Sequence, residues 1–580
     1  MLDKYLKRLK LIGGFPALQK NWNPVTYENM LVKIKNLGLP YQSLLRFSTY
    51  ANPNNPKELK LRIKEVKLNM GSSSHYGVKM TNTTKAYRTL AIEVLELLKD
   101  NDVTSEDIEK DVDAMIDFER KLAKDKYDPV SARDTKKIYN LMSLQQLRQS
   151  APQIDWVNHL TALSKLKWTK QDTVIVQNPK FMKTFDNLIK NTDKRVIANY
   201  LLWSATFQTI QMLGSNFINL TLNYQKVASG ITKLSPKDEY CMGNVKGPLA
   251  YALSSIFIKR FFSKDIKNTV EGMADSYMDF YKKLLGNQTW MDTNTRNAAV
   301  KKVLAMKAYI AYPDQLANIT VINKLNAKVK IAGDYFENIA SVNKAIEDQI
   351  FLKLKENQLN SWLDVGQAKN VNGYYYAVRN IFVLFAALIQ DVVFMKNRPY
   401  AMNLAAAGFV IGHEVSHGFD DQGRQFTPEG KAENWWSSST LEKYQKKIQC
   451  FLDKYAEYDY PGLDNKKLNS KLTIGEIIGD FSGIESSAHL LEEYLKVKDT
   501  SVINKDFGYT DRQLFWIAYG HVWCTKTRKA ELERRSESSP HAPTEIRVNG
   551  PLKHSKQFAK DFACAEGTEM NPKEKCSMWE

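Results

Sequence analysis

The stretch Val410-Ile411-Gly412-His413-Glu414-Val415-Ser416-His417-Gly418-Phe419-Asp420-Asp421 constrains the fold of this chain more than any other. Histidines four apart on a helix share one face about a turn from each other, so both imidazoles can reach a single zinc ion. Glu414 follows the first histidine and points to the open side of such an ion. There it can take a proton from a water whose pKa the metal lowers to around neutrality. Only eight residues of the chain are histidine, which weakens the bland alternative of an exposed helix carrying His-Glu and a later His by chance.

A two-histidine site needs a third protein ligand. Leu472-Thr473-Ile474-Gly475-Glu476-Ile477-Ile478-Gly479-Asp480 reads as a second helix whose Glu476 and Asp480, also four apart, share a face. A carboxylate from Glu476 completes the His2Glu set typical of catalytic zinc and leaves one position for water. Asp480 is then placed to orient a ligand imidazole. One zinc ion per chain, on His413, His417 and Glu476, is the expected cofactor. The arrangement is that of zinc-dependent peptide hydrolases.

At 580 residues the chain exceeds one ordinary core, so two large lobes or three domains are expected. Hydrophobic residues at 43% and aromatics at 11% mark a foldable globular protein. The net charge of +18 is spread as interleaved Lys and Glu, which reads as a solvated basic surface, and no nucleic-acid partner is expected. No run of 18 apolar residues exists; the richest, Ile381 to Ile389, is broken by Gln390 and Asp391 and suits a buried strand. The start, Met1 to Lys10, lacks the apolar core and cleavage site of a signal peptide. The five cysteines, Cys241, Cys450, Cys524, Cys564 and Cys576, fit either free thiols of an intracellular protein or a disulfide framework with partners elsewhere. Asn82, Asn219, Asn287 and Asn318 each begin an N-x-S/T triplet and are candidate glycosylation acceptors.

Up to about residue 335 the sequence reads as almost wholly helical. Residues 84 to 99 form a strong helix, and Thr104-Ser105-Glu106-Asp107 is a capping signature for the next. Further amphipathic helices are predicted at 192 to 213, 246 to 262, 265 to 285 and 292 to 307. Val371 to Tyr376 and Ile381 to Phe385 read as strands, and a long helix is predicted from about Thr440 to Tyr458. The expected fold is mainly α in two lobes: a large helical lobe over 1–335 and an α+β lobe carrying the metal site over 336–580.

With both elements of the site in hand, the sequence resembles the neprilysin family of zinc metallopeptidases, which includes the endothelin-converting enzymes. In that family the metal motif is followed by Gly-Phe-Asp-Asp and the third ligand lies in a Gly-Glu-x-x-x-Asp helix, and both are present here. The resemblance implies a thermolysin-like catalytic lobe of the gluzincin type, with the helical lobe covering an active-site cavity that admits oligopeptides. It implies zinc on His413, His417 and Glu476, Glu414 as base, and Asp420 and Asp480 hydrogen-bonded to the ligand histidines. Asn372 and Gly373 match the family's Asn-Ala-Tyr-Tyr segment, which binds the substrate backbone as an edge strand; Gly373 replaces the usual Ala. Ser539-Pro540-His541-Ala542-Pro543 and Arg547 resemble the family's Asp-x-His-x-Pro and later Arg. His541 would donate to the oxyanion and Arg547 would bind a substrate carbonyl. Ser539 stands where an Asp usually supports the histidine, which implies weaker help to the transition state. Phe409, Val410, Val522 and Trp523 match the pocket for the residue after the cut, implying cleavage before a bulky apolar side chain.

The family pairs the counterparts of Cys450 and Cys576, and those of Cys241, Cys524 and Cys564 with cysteines further upstream. The resemblance thus implies an extracellular enzyme, cell-surface or secreted, whose anchor and first ectodomain part precede the region matched here. A second reading, a catalytically impaired relative that binds peptides or partners, draws on Ser539 and the unpaired cysteines.

Overall fold

The computed structural model describes residues 1–99, 102–327, 329–359, 361–497 and 508–579. It is mostly helical, with a four-stranded and a three-stranded sheet among the described residues. The chain forms two compact units, and neither is continuous in sequence. One comprises Met1–Ala51, Lys57–Pro248 and Leu325–Leu359; the other comprises Asn52–Pro56, Leu249–Lys324 and Asn360–Glu580. This departs from the division expected at 335/336: residues 249–324 join the unit that carries the metal motif, and residues 336–359 belong to the other. The 249–324 stretch is tied to the metal-bearing unit by the helix Lys264–Gly286, whose Tyr277 and Tyr281 enter the same core, and by the five-residue strand Lys307–Ala311. That strand, too short to be distinctive in sequence, pairs in parallel with Ile381–Phe385 from Lys307 opposite Ile381 to Ala311 opposite Phe385.

In the first unit, Asn82–Leu98 buries Tyr87, Leu90, Ala91, Val94, Leu95 and Leu98 at helical spacing. The next helix, Ser105–Ala123, opens on the expected capping box, with Thr104 Oγ1 accepting from Asp107 N and the Asp107 carboxylate accepting from Thr104 N. The expectation of an almost wholly helical region is corrected by a sheet built from Arg46–Asn52, Asn55–Lys64, Asn140–Ser143 and Thr173–Val176. Two of these strands are four residues long, the lower limit at which alternation can be read, and Thr173–Val176 is buried at three successive positions and so does not alternate.

In the second unit, Ile381–Phe385 is buried at every position and lies at the centre of the three-stranded sheet, as its unbroken apolar run requires. Gly373–Tyr376 pairs antiparallel with it and occupies an edge. Helices Lys264–Gly286, Thr293–Ala305, Ser438–Ala456 and Ser470–Leu495 surround a core that includes Tyr277, Tyr281, Ile411, Val415, Ile477, Ile478, Phe481 and Phe515. A disulfide joins Cys450 to Cys576, as the resemblance implied, while Cys241, Cys524 and Cys564 are free thiols. Among the described residues no helix is long and apolar enough to cross a membrane.

Candidate active site

His413, Glu414 and His417 sit at the end of a helical run that begins at Tyr400. It passes through a wide π turn at Leu404–Gly408 and continues as Phe409–Ser416. The three alanines and a glycine of that turn are fully buried, and small side chains let the run press against the 26-residue helix Ser470–Leu495. The two helices approach closely where Gly412 faces Gly483: a Cβ on Gly412 would lie 3.1 Å from Gly483 Cα. A Cβ on Gly483 would lie 2.8 Å from Phe409 O, and one on Gly479 would lie 2.7 Å from the His413 ring. Only glycine permits this spacing, and it carries Glu476 to both imidazoles. Tyr281, fully buried, ties the pair by donating to Gly412 O at 3.0 Å and Ser482 O at 3.3 Å.

The result is a convergent donor set. Nε2 of His413 and Nε2 of His417 are 3.0 Å apart with their rings nearly perpendicular. Glu476 Oε2 lies 3.4 Å from the first and Glu476 Oε1 lies 3.9 Å from the second. One ligand atom from each of the three residues falls within 4.8 Å of the others. Ligands at about 2.0–2.2 Å from one tetrahedral zinc stand roughly 3.3–3.6 Å apart, so the set fits that ion. The polar atoms point the same way: Oε2 of Glu414 and Oε2 of Glu476 are buried with no aligned hydrogen-bond partner, an arrangement that is costly unless a cation or water is received there.

Behind the donors, Asp420 Oδ2 contacts His417 Nδ1 at 2.8 Å. Asp480 Oδ1 lies 3.0 Å from His413 Nδ1, in charge contact but off the hydrogen-bond axis. Asp480 is gripped by Arg547 through Nε at 2.7 Å and Nη2 at 2.5 Å. Burial by itself would raise the Glu476 carboxyl, but the imidazoles of His413, His417 and His541 hold it well below the usual carboxylate range. Burial pushes the Glu414 carboxyl up, against the pull of the two histidines. Burial also opposes charge on His413, yet Asp480 and Glu476 raise it to about 10. The surrounding carboxylates therefore favour positive charge at this centre.

His541, half exposed, brings Nε2 to 3.1 Å from Glu476 Oε2. Ser539 does not touch its ring: the hydroxyl accepts from His541 N at 3.1 Å and donates to His541 O at 3.2 Å. It shapes the turn instead of polarising the imidazole. Gly373 lies against Glu414, where a Cβ would come 3.2 Å from Oε1 and 3.5 Å from Val410 Cγ1. Asn372 is exposed at the start of the edge strand, and its carbonyl accepts from Phe385 N at 3.2 Å. Phe409 packs edge-on against Trp523, whose ring lies 4.0 Å beneath the Arg547 guanidinium; Val522 is half-buried beside it in sequence. Outside the site, Asn82, Asn219, Asn287 and Asn318 are all exposed. Missed in the sequence were Gly412, Gly479 and Gly483, Tyr281, and the buried Lys302. The signal for two of the glycines was there, since Gly475, Gly479 and Gly483 recur at four-residue intervals on one helix.

Two models described as Peptidase family M13 match residues 1–313 and residues 372–578. The chain belongs to peptidase family M13. It is 30% identical over 593 residues to Neprilysin-2 of Drosophila melanogaster, covering 98% of this chain and 75% of that protein. It is 27% identical over 569 residues to endothelin-converting enzyme 1 of Rattus norvegicus, covering 96% and 74% respectively. The fold is that of the zinc metalloprotease ZMP1 of Mycobacterium tuberculosis in complex with an inhibitor, at a TM-score of 0.86 and 22% identity, over 100% of this chain and 87% of that one. This M13 chain is accordingly a zinc metalloendopeptidase.

Proposed function

We propose that this M13 enzyme cleaves oligopeptides on the amino side of bulky apolar residues, with Glu414 as general base. The observation that carries the reading is the convergence of the Glu476 carboxylate with two imidazole Nε2 atoms 3.0 Å apart, beside a buried Glu414 Oε2 that meets no hydrogen-bond donor. His413, His417 and Glu476 would hold one zinc ion, which when bound supplies Lewis acidity and makes a neighbouring water more acidic. Asp420 accepts from His417 Nδ1, and Asp480 stands in charge contact with His413 Nδ1, which leaves each Nε2 as the donor to a metal. Glu414 takes the proton of the attacking water and returns it to the leaving amine. His541 Nε2 donates to the developing oxyanion. Arg547 spends Nε and Nη2 on Asp480, so Nη1 is the group left to meet a substrate carbonyl. The peptide backbone adds to the edge strand Gly373–Tyr376, with Asn372 at its mouth, and Phe409, Val410, Val522 and Trp523 form the apolar wall that favours a large side chain.

The Cys450–Cys576 disulfide and the exposed acceptors at Asn82, Asn219, Asn287 and Asn318 support an extracellular setting. The non-catalytic alternative gains no observation in its favour, because the ligand set and the base converge. Short quenched fluorogenic peptides test the proposal. Those with Phe or Leu after the scissile bond are expected to be cleaved at least about tenfold faster than those with Gly, in line with a side chain worth 1–3 kcal/mol in an apolar pocket, and a chelator should stop both. Metal-loaded protein that cleaves none of them would refute it.

A further inference from the structure

We infer that Lys302 is a positioning residue for the metal centre, acting through the turn that aligns Asp420 on His417. Lys302 lies on the helix Thr293–Ala305 and is fully buried, a costly place for an ammonium unless it is fully used. Its Nζ donates to Gly423 O at 2.6 Å and to Phe426 O at 2.7 Å, and sits 5.7 Å from the ring centre of Phe419 and 5.8 Å from that of Trp435. It thus clamps both ends of the short helical turn Gly423–Gln425.

That turn supplies the donors for Asp420. Gly423 N donates to Asp420 Oδ1 at 2.6 Å and Gln422 N donates to it at 2.8 Å, while Oδ2 of the same carboxylate holds His417 Nδ1. The chain of contacts therefore runs from the ammonium through the Gly423 peptide and the Asp420 carboxylate to the imidazole. The turn has no slack, because a Cβ on Gly423 would run into the His417 carbonyl oxygen. The helix end is fixed in turn: Asn380 Nδ2 donates to Lys302 O at 3.0 Å and to Pro428 O at 3.1 Å, and Asn380 Oδ1 accepts from Tyr375 OH at 2.9 Å. Burial lowers the Lys302 pKa to about 7, and the Asp420 carboxylate is the charge that works against that loss.

The inference rests on His417 being a zinc ligand, and the test separates the two. Zinc is stripped from the whole chain, and its affinity is then measured by competition with a chromophoric chelator for wild type, Lys302→Gln, Asp420→Asn, the double variant and His417→Ala. Amide exchange at Gln422 and Gly423 is read in the stripped proteins. Lys302→Gln is expected to weaken zinc binding roughly tenfold and Asp420→Asn about 10- to 100-fold, the usual cost of losing a residue behind a ligand. The double variant should bind like Asp420→Asn alone, and Gly423 should exchange faster wherever Lys302 is replaced. Wild-type affinity and exchange in Lys302→Gln, or losses that multiply in the double variant, would overturn the inference. Wild-type affinity in His417→Ala would instead overturn the metal site. Should Lys302→Gln not fold, Lys302→Arg decides: its bulkier head should also weaken zinc binding and speed Gly423 exchange, and wild-type values there would overturn the inference.

Discussion

Each compact unit buries a carboxylate among polar partners, and the two do so to opposite ends. In the helical unit, Glu119 is fully buried and its bonds close on themselves. Oε1 accepts from Asn69 N at 2.7 Å and Oε2 from Tyr87 OH at 3.3 Å. Tyr87 OH accepts in turn from Trp203 Nε1 at 2.7 Å and Asn69 Nδ2 at 2.9 Å. In the other unit Glu414 and Glu476 are buried with oxygens that meet no aligned donor. A closed network stabilises a core, whereas an open one costs free energy that only a ligand can offset. Of these carboxylates, the closed one belongs to the scaffold and the open ones to the candidate site.

The sharpest way to break the comparison is to remove the open oxygens of the base. Glu414→Gln is expected to lower kcat/KM about 10²- to 10⁴-fold, the range for general-base loss, while elemental analysis still finds zinc. Next in size is metal removal. Chelation should lower the stability of the metal-bearing unit by about 3 kcal/mol relative to free zinc at a hundred times Kd. Amide exchange should then rise over 409–417 and 472–481 and stay unchanged over 105–123.

The closed network gives a matching effect in the other unit. Burial raises the Glu119 pKa from 4.5 to about 7, against hydrogen bonds that favour its charge. Its folded form therefore holds a proton that the unfolded chain releases. The associated stability is fully present below about pH 4.5 and is lost as pH rises through 7, by up to about 3 kcal/mol. Glu119→Gln should abolish that slope in the exchange of residues 105–123 and leave peptide hydrolysis unaltered. The smallest effect is expected from Gly373→Ala. A methyl group 3.2 Å from Glu414 Oε1 shifts the base by a few tenths of an ångström, which should lower kcat less than about tenfold, given that a full ångström costs about a hundredfold.

The site was more legible in the sequence than the fold that carries it. His413, Glu414 and His417 declare themselves by spacing, and Glu476 with Asp480 repeats that spacing on a second helix. The helices Asn82–Leu98, Ser105–Ala123 and Ser438–Ala456 followed from periodicity and caps. The strand Lys307–Ala311 did not, because five residues flanked by a helix carry no period of their own, and its parallel partner lies 74 positions away, as in Lys307 with Ile381. Lys302 was hidden for a different reason: among 82 lysines and arginines, nothing local marks the one whose ammonium is enclosed by residues more than a hundred positions downstream.

The central claim is that Ser470–Leu495 and the helical run ending at Ser416 bring two imidazoles and one carboxylate onto the same ion. Anomalous diffraction at the zinc edge from crystals of the metal-loaded enzyme tests it most directly. One peak about 2.0–2.2 Å from His413 Nε2, His417 Nε2 and a Glu476 oxygen is predicted. A peak elsewhere, or one at this centre with Glu476 outside bonding distance, would contradict the account.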